Sequence, residues 1–321
     1  ISSVTHAVEI LQSGNFDTLL GAGGGSAMDI AKAARLFEAI PDAFTRCNLS
    51  TNGQYCHRQS QYKLITLPTL SGSGCEYMAG AVITNNKHEK VTLTAGDLQS
   101  DMAIIDPLLQ VNVPVSITVA SAIDSMCHAF NKVCAPRCEF QYRNVMAIDA
   151  IKAVWEYLPI IVFENMHDIE ARSALCYSSI MSGYIGGGPS GNFNHPVAHT
   201  ISRFFPSVPH GIACAWALPA TIRHVLPECS DWTYNELAQL TGVCISSENS
   251  ISKITNAFII WLKNVGVPSP SKWVQEIDYN SWIGMSKCVA QDGTWGLNPF
   301  YDYPSDEQLQ VILDEIWHDF Q

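Results

Sequence analysis

One stretch constrains the fold more than any other. Residues 17–22 (DTLLGA) form a short apolar run of the kind that suits a buried parallel strand. Gly23, Gly24, Gly25 and Ser26 follow at once, and a helical pattern runs over residues 27–39. Strand, glycine turn and helix together leave backbone N–H groups free at a helix N-terminus, an arrangement that accepts a phosphate. A tight strand-to-helix turn with no ligand has the same pattern. The glycines match neither a strict GxGxxG nor a P-loop. Ser26 reads as the N-cap of this helix, with Asp29 three residues on as in a capping box. Lys32, two turns into the helix, reads as either a surface lysine or a group behind the turn.

The rest of the first third continues in the same mode. Residues 4–13 read as a helix, 64–67 (LITL) as a second strand, and 102–106 (MAIID) as a third, stopped by Pro107. Residues 79–84 and 90–95 read as a strand pair around a polar turn at 85–89. Residues 41–62 are polar and loop-like, with Asn52-Gly53 as a turn signal. Beyond Pro114 the character changes to helices, near 117–132, 142–157, 168–184, 194–204, 213–225, 234–242, 248–265, 280–291 and 305–318. Ser305 and Gln308 form a capping-box pattern for the last. The expected organisation is an α/β domain over residues 1–112 and an all-α domain over 113–321.

Composition excludes some partners. Eighteen Lys+Arg against thirty Asp+Glu give a net charge of -12, which leaves no large basic surface for nucleic acid or an anionic membrane. No run approaches the roughly 18 apolar residues of a membrane span. No signal-peptide pattern follows Ile1, so a cytoplasmic location is expected. Eleven cysteines are scattered without a CxxC pair and read mainly as reduced, buried small residues. Cys47 and Cys56 flank a polar stretch and are candidates for pairing. Cys134 and Cys138 bracket Pro136, which argues for a loop.

The second half carries the metal chemistry. Asp124 and His128 are spaced i, i+4 on one expected helix, so both side chains leave the same face. A helical Asp–His hydrogen bond is the plainer reading of that pair alone. His195 and His199 repeat the spacing, and His210 sits between a Pro and a Gly; three of the ten histidines thus fall within residues 195–210. One carboxylate with imidazoles is a suitable set for Fe(II) or Zn(II) with a coordination position left open. Arg203, between the histidines, is a candidate anchor for an anionic substrate group.

Taken in order, these segments resemble the iron-containing (group III) alcohol dehydrogenases, which share a fold with dehydroquinate synthase. Residues 23–32 (GGGSAMDIAK) are similar to the family's pyrophosphate loop, 68–76 (PTLSGSGCE) to its nicotinamide loop, and 104–107 (IIDP) to its domain junction. Residues 123–129 (IDSMCHA), 195–199 (HPVAH) and 209–211 (PHG) resemble its metal-ligand segments, and Asn298-Pro299 its late Asn-Pro. The resemblance implies a Rossmann-like dinucleotide-binding domain whose first strands precede this chain, followed by an all-α metal-binding domain. It implies a divalent metal, Fe(II) first and Zn(II) second, on Asp124, His128, His195 and His210. It implies NAD or NADP, bound by Gly24, Gly25, Ser26, Asp29, Thr69, Leu70, Ser73 and Lys90, with the diphosphate on the amides from Gly24 to Ala27. His199 would be the catalytic proton-relay group, the substrate a small primary alcohol or aldehyde, and the assembly a homodimer by analogy. A nucleotide-binding relative without dehydrogenase activity, or a lyase of the dehydroquinate synthase type, is the alternative. The chain departs from the family in having Asn131 for a Glu, Cys75 for a Ser and Leu70 for a Thr.

Overall fold

In the computed structural model the glycine turn joins β1 (Thr18–Gly23) to α2 (Gly25–Ala39). The structure describes residues 1–40, 60–84, 90–133, 141–185, 193–245, 248–273, 278–290 and 304–320. Helix α1 (Ser2–Ser13) packs on α2 through Val4 and Leu11. Strand β2 (Lys63–Pro68) lies parallel to β1, with Leu20 opposite Ile65 and Gly23 opposite Pro68. Short β5 (Met102–Ala103) pairs parallel to the other side of β2, giving the sheet order β1-β2-β5. A separate antiparallel pair, β3 (Gly80–Thr84) and β4 (Lys90–Thr94), rests on α2. Residues 102–106 thus form less strand than their apolar run suggests, because the Asp106 carboxylate accepts the Leu108 N–H and opens a short 3-10 turn.

The expected capping box at Ser26 does not form. Gly24 is already extended and serves as the N-cap, and no side chain caps the helix. Asp29 is drawn into the domain instead, where its carboxylate accepts the Val82 N–H at 3.0 Å. The other expected box does form: Ser305 and Gln308 exchange side-chain bonds at the start of the last helix.

The remaining elements are helices: α3 (Val115–Val133), α4 (Gln141–Phe163), α5 (Ile169–Tyr184), α6 (Asn194–Phe204), α7 (His210–Val225), α8 (Asp231–Thr241), α9 (Ser250–Asn264) and α10 (Asp306–Asp319). Short helical turns at Pro270–Trp273, Tyr279–Gly284 and Ser286–Ala290 stand before α10. Helix α7 is buried without interruption from Gly211 to Ile222, as expected of a helix apolar on every side. It packs against α3, α6, α9 and α10 and forms the axis of the helical core. The α/β part has its own core, built on Leu36, Leu64, Ile83 and Leu93. Among the described residues no helix is long and apolar enough to cross a membrane.

Main-chain contacts join the two parts. The loop after β2 lies against α5: the Gly72 and Gly74 N–H groups donate to Ser179 Oγ, which in turn donates to buried Glu76 Oε1. Gly74 has φ +63° and abuts Gly183, and a side chain at either would run into the other's backbone. Gly72 faces Ser121 on α3; a Cβ there would stand 3.0 Å from the Ser121 carbonyl oxygen.

Candidate functional site

Two glycine-rich loops meet at the N-terminus of α2. The Thr69 N–H donates to the Gly23 carbonyl at 2.9 Å, which seats the second loop beside the first. A Cβ on Gly24 would lie 3.1 Å from Leu70 Cδ1, and one on Gly25 would lie 3.1 Å from Ser73 Oγ. Gly24, Gly25, Ser26, Thr69, Leu70 and Ser73 therefore line one place. The first-turn amides of Gly25 and Ser26 have no acceptor within their helix. The Ala27 N–H, however, is engaged by the Gly24 carbonyl at 3.0 Å, so the run of amides expected to face a diphosphate is shorter by one. The Lys90 side chain lies outside the described residues, as do Cys47, Cys56, Cys134, Cys138, Asn298 and Pro299.

Lys32 is neither a surface lysine nor a ligand group. It is fully buried, and its Nζ donates to the carbonyls of Cys75, Met78 (2.8 Å) and Gly80 (3.0 Å). It thereby ties the second loop to α2, as Ser179 ties it to α5. Asp29 shares this pocket: burial raises its pKa to about 6, against the pull of Lys32. Lys32→Met keeps the stem and removes three bonds. It is expected to cost about 3 kcal/mol or more, since buried carbonyls lose a charged donor, and to raise the KM for dinucleotide. Chemical denaturation and steady-state kinetics check both, and an unshifted denaturation midpoint would sink the assignment.

The structure brings the histidines of three helices together around Asp124. Helix α3 carries Asp124 and His128, α6 carries His195 and His199, and α7 opens on His210. Asp124 Oδ1 is the hub: His195 Nε2 lies 3.6 Å away, and His128 Nε2 and His210 Nε2 each 3.7 Å. These are too long for hydrogen bonds. They suit donors sharing one ion, because metal bonds of about 2.0–2.3 Å place tetrahedral donors about 3.3–3.7 Å apart. His195 Nε2 is buried with no hydrogen-bond partner, as a ligand nitrogen awaiting an ion should be. His199 is half-buried, its ring stacked on His210 with centroids 5.1 Å apart. Arg203 is exposed on the last turn of α6.

The electrostatics fit a cation. Asp124 is held far below the usual carboxylate range: burial opposes this, and His128, His195 and His210 overcome it. Burial, then the neighbouring His195, lowers His128 to about 3. Burial alone would lower His195 too, but Cys214 and Asp124 outweigh it and raise it to about 10. The result is a buried negative charge ringed by imidazoles, an arrangement that a divalent ion neutralises.

Two residues escaped the sequence reading, and a third gains a partner that the sequence did not give it. Cys214 Sγ lies 3.7 Å from Asp124 Oδ1 and 3.7 Å from His210 Nε2. Asp124, His195, His210 and Cys214 form a group of donors all within 4.8 Å of one another. The second is Ser179, a single hydroxyl holding two loop amides, which carries no sequence signature. The third is Asn131, so far only a departure from a family pattern. Its amide meets His195 Nδ1 at 2.6 Å through Nδ2, while its Oδ1 is buried without a partner. An Nε2 ligand requires Nδ1 to carry the proton, and reversing the amide lets Oδ1 accept it.

Known proteins bear on this geometry. A family model described as iron-containing alcohol dehydrogenase matches residues 1–107. A second, described as Fe-containing alcohol dehydrogenase family, C-terminal, matches residues 118–275. The chain is 32% identical to the 1-propanol dehydrogenase PduQ of Salmonella typhimurium, over 98% of this chain and 82% of that protein. It is 28% identical to an NAD-dependent methanol dehydrogenase of Bacillus methanolicus, over 84% of this chain and 69% of the relative. Among solved structures, an NADH-dependent butanol dehydrogenase A of Thermotoga maritima superposes with a TM-score of 0.80. It is 27% identical, with 98% of this chain and 79% of the other covered.

Proposed function

The chain belongs to the iron-containing alcohol dehydrogenase family, and from that premise we propose how its own residues carry out the reaction. It is an NAD-dependent alcohol dehydrogenase, interconverting a small primary alcohol and its aldehyde. One observation carries the reading. The loop that packs on the N-terminus of α2 also rests on Ser121 of α3, one turn before Asp124. A nucleotide held by that loop and an ion held by Asp124 therefore belong to one site.

The amides of Gly24, Gly25 and Ser26 would hold the dinucleotide's diphosphate, with the α2 dipole favouring its charge. Thr69, Leu70 and Ser73 would border it, and Lys32 and Ser179 keep that border in place from behind. Asp124, His128, His195 and His210 would hold the divalent ion, Fe(II) or Zn(II). When bound, the ion supplies Lewis acidity to the substrate oxygen. His199, half-buried beside His210, would move the alcohol proton between the site and water. The division between the nucleotide and metal halves would fall at residues 112–113, a reading supported by the 3-10 turn that Asp106 caps just before it.

The test is metal removal. Chelated protein is expected to lose aldehyde-dependent NADH oxidation, and added Fe(II) or Zn(II) to restore it. Full turnover in metal-free protein would overturn the reading. A second prediction concerns Asn131. Asn131→Leu removes the acceptor behind His195 and is expected to weaken zinc binding by about 10–100-fold, the usual effect of losing a ligand's outer partner. Asn131→Asp restores an acceptor and should keep the affinity. Competitive titration against a chromophoric chelator measures both, and equal affinity in the Leu variant would remove Asn131 from this role.

A further inference from the structure

We propose that Cys214 is a sulfur ligand of the resident ion, which tilts the centre of this chain toward zinc and cobalt over iron(II). The inference rests on the metal-centre reading above and adds a donor of a different kind. Cys214 lies one helical turn after His210 on α7, so both side chains leave one face together. It is fully buried, yet its sulfur does not sit only among apolar atoms. Sγ lies 3.7 Å from the Asp124 carboxylate and 3.7 Å from His210 Nε2, both of them proposed ligand atoms. These separations match those between the other donors, 3.6 Å and 3.7 Å. Without an ion the thiol donates to the Asp124 carboxylate, so its proton lies where a metal bond would replace it and its sulfur stands at ligand spacing from two proposed ligands at once.

The chemistry of the donor decides the consequence. As the sulfur–metal bond forms, water leaves the ion and the thiol proton passes to solvent, so charge and atoms balance. Iron(II) already stands below zinc in affinity for a given nitrogen or oxygen site, and a soft thiolate widens that gap. A centre built only of carboxylate and imidazole has no such bias beyond the ordinary order. The second buried thiol nearby, Cys127 on α3, is a neighbour of Cys214. Like His128, it stands outside the group of mutually close donors, and as a neighbouring thiol it provides the control.

Cobalt distinguishes the two levels of the argument. The full chain is stripped of metal, loaded with Co(II), and examined for cobalt content and near-ultraviolet absorption. The expected result is one cobalt per chain with an intense thiolate-to-cobalt charge-transfer band. Cys214→Ser should still bind cobalt but lack the band, and Cys127→Ser should keep it. In the Cys214→Ser protein the preference for Zn(II) over Fe(II) should fall by about tenfold or more, the scale on which single groups around a metal act. Stoichiometric cobalt without the band, or a band that survives in Cys214→Ser, overturns the proposal and leaves the metal centre standing. Failure to bind cobalt at all overturns the metal centre itself, and this proposal with it.

Discussion

Asp124→Asn is expected to leave a folded protein that holds less than about a tenth of its metal and turns over about a thousandfold more slowly. Polarisation of an oxygen by a bound ion is worth several kcal/mol, and each 1.36 kcal/mol is a factor of ten in rate. A loss of about 4 kcal/mol therefore corresponds to about three orders of magnitude. Among the described residues none is better placed to lose as much. Asp124 Oδ1 is the atom from which His128, His195, His210 and Cys214 are all 3.6–3.7 Å away. It also supplies a full negative charge in a buried place. The amide has the same shape, so the packing of α3 survives and the circular dichroism spectrum should not change. Metal analysis together with kcat decides the matter: a variant with full metal and unchanged kcat would remove Asp124 from the centre.

Gly211→Ala should be the most damaging substitution of a single hydrogen by a methyl group. A Cβ at Gly211 would fall inside the van der Waals surface of the Ala120 carbonyl. Neither partner can yield by rotating a side chain, because both surfaces are helix backbone. Relief requires α3 and α7 to move apart, at a cost of about 3 kcal/mol or more. In a chain of 321 residues that lowers Tm by roughly 4–5 °C. The same movement separates the donors, because His210 adjoins Gly211 and Asp124 lies one turn beyond Ala120. Metal affinity and Tm should therefore fall together. Gly284→Ala is the comparison, since its added Cβ meets nothing within 4 Å and should stay within about 0.5 kcal/mol of the parent. An unaltered Tm in Gly211→Ala would show that the two helices do not approach as described.

Much of the fold, and the pairing of candidate donors on single helix faces, was readable because it depends on period and spacing. Asp124 with His128, and His195 with His199, share helix faces for the reason their i, i+4 separation suggests. The two capping-box patterns show where local reading stops. Ser305 with Gln308 forms its box at an exposed helix start, where nothing competes. Ser26 with Asp29 does not, because Gly24 takes the cap position and Val82 takes the carboxylate. Cys214 was hidden by a boundary. With the helix expected from residue 213, His210 stood outside it and the one-turn relation of the two donors could not be drawn. The helix in fact begins at His210, directly after Pro209. Lys32 was ambiguous for another reason: its three acceptors are carbonyls of residues 75, 78 and 80, distant in sequence and identical in every residue type.

The seam between Gly74 and Gly183 limits how proteins of this construction can change. It is formed by main chain on both sides, so no substitution of a lining side chain can lengthen or shorten it. Substitutions among the side chains of the loop would then leave its distance from the helix carrying Gly183 unchanged. That distance is a property of the backbone, not of the side chains that a new substrate would require to differ.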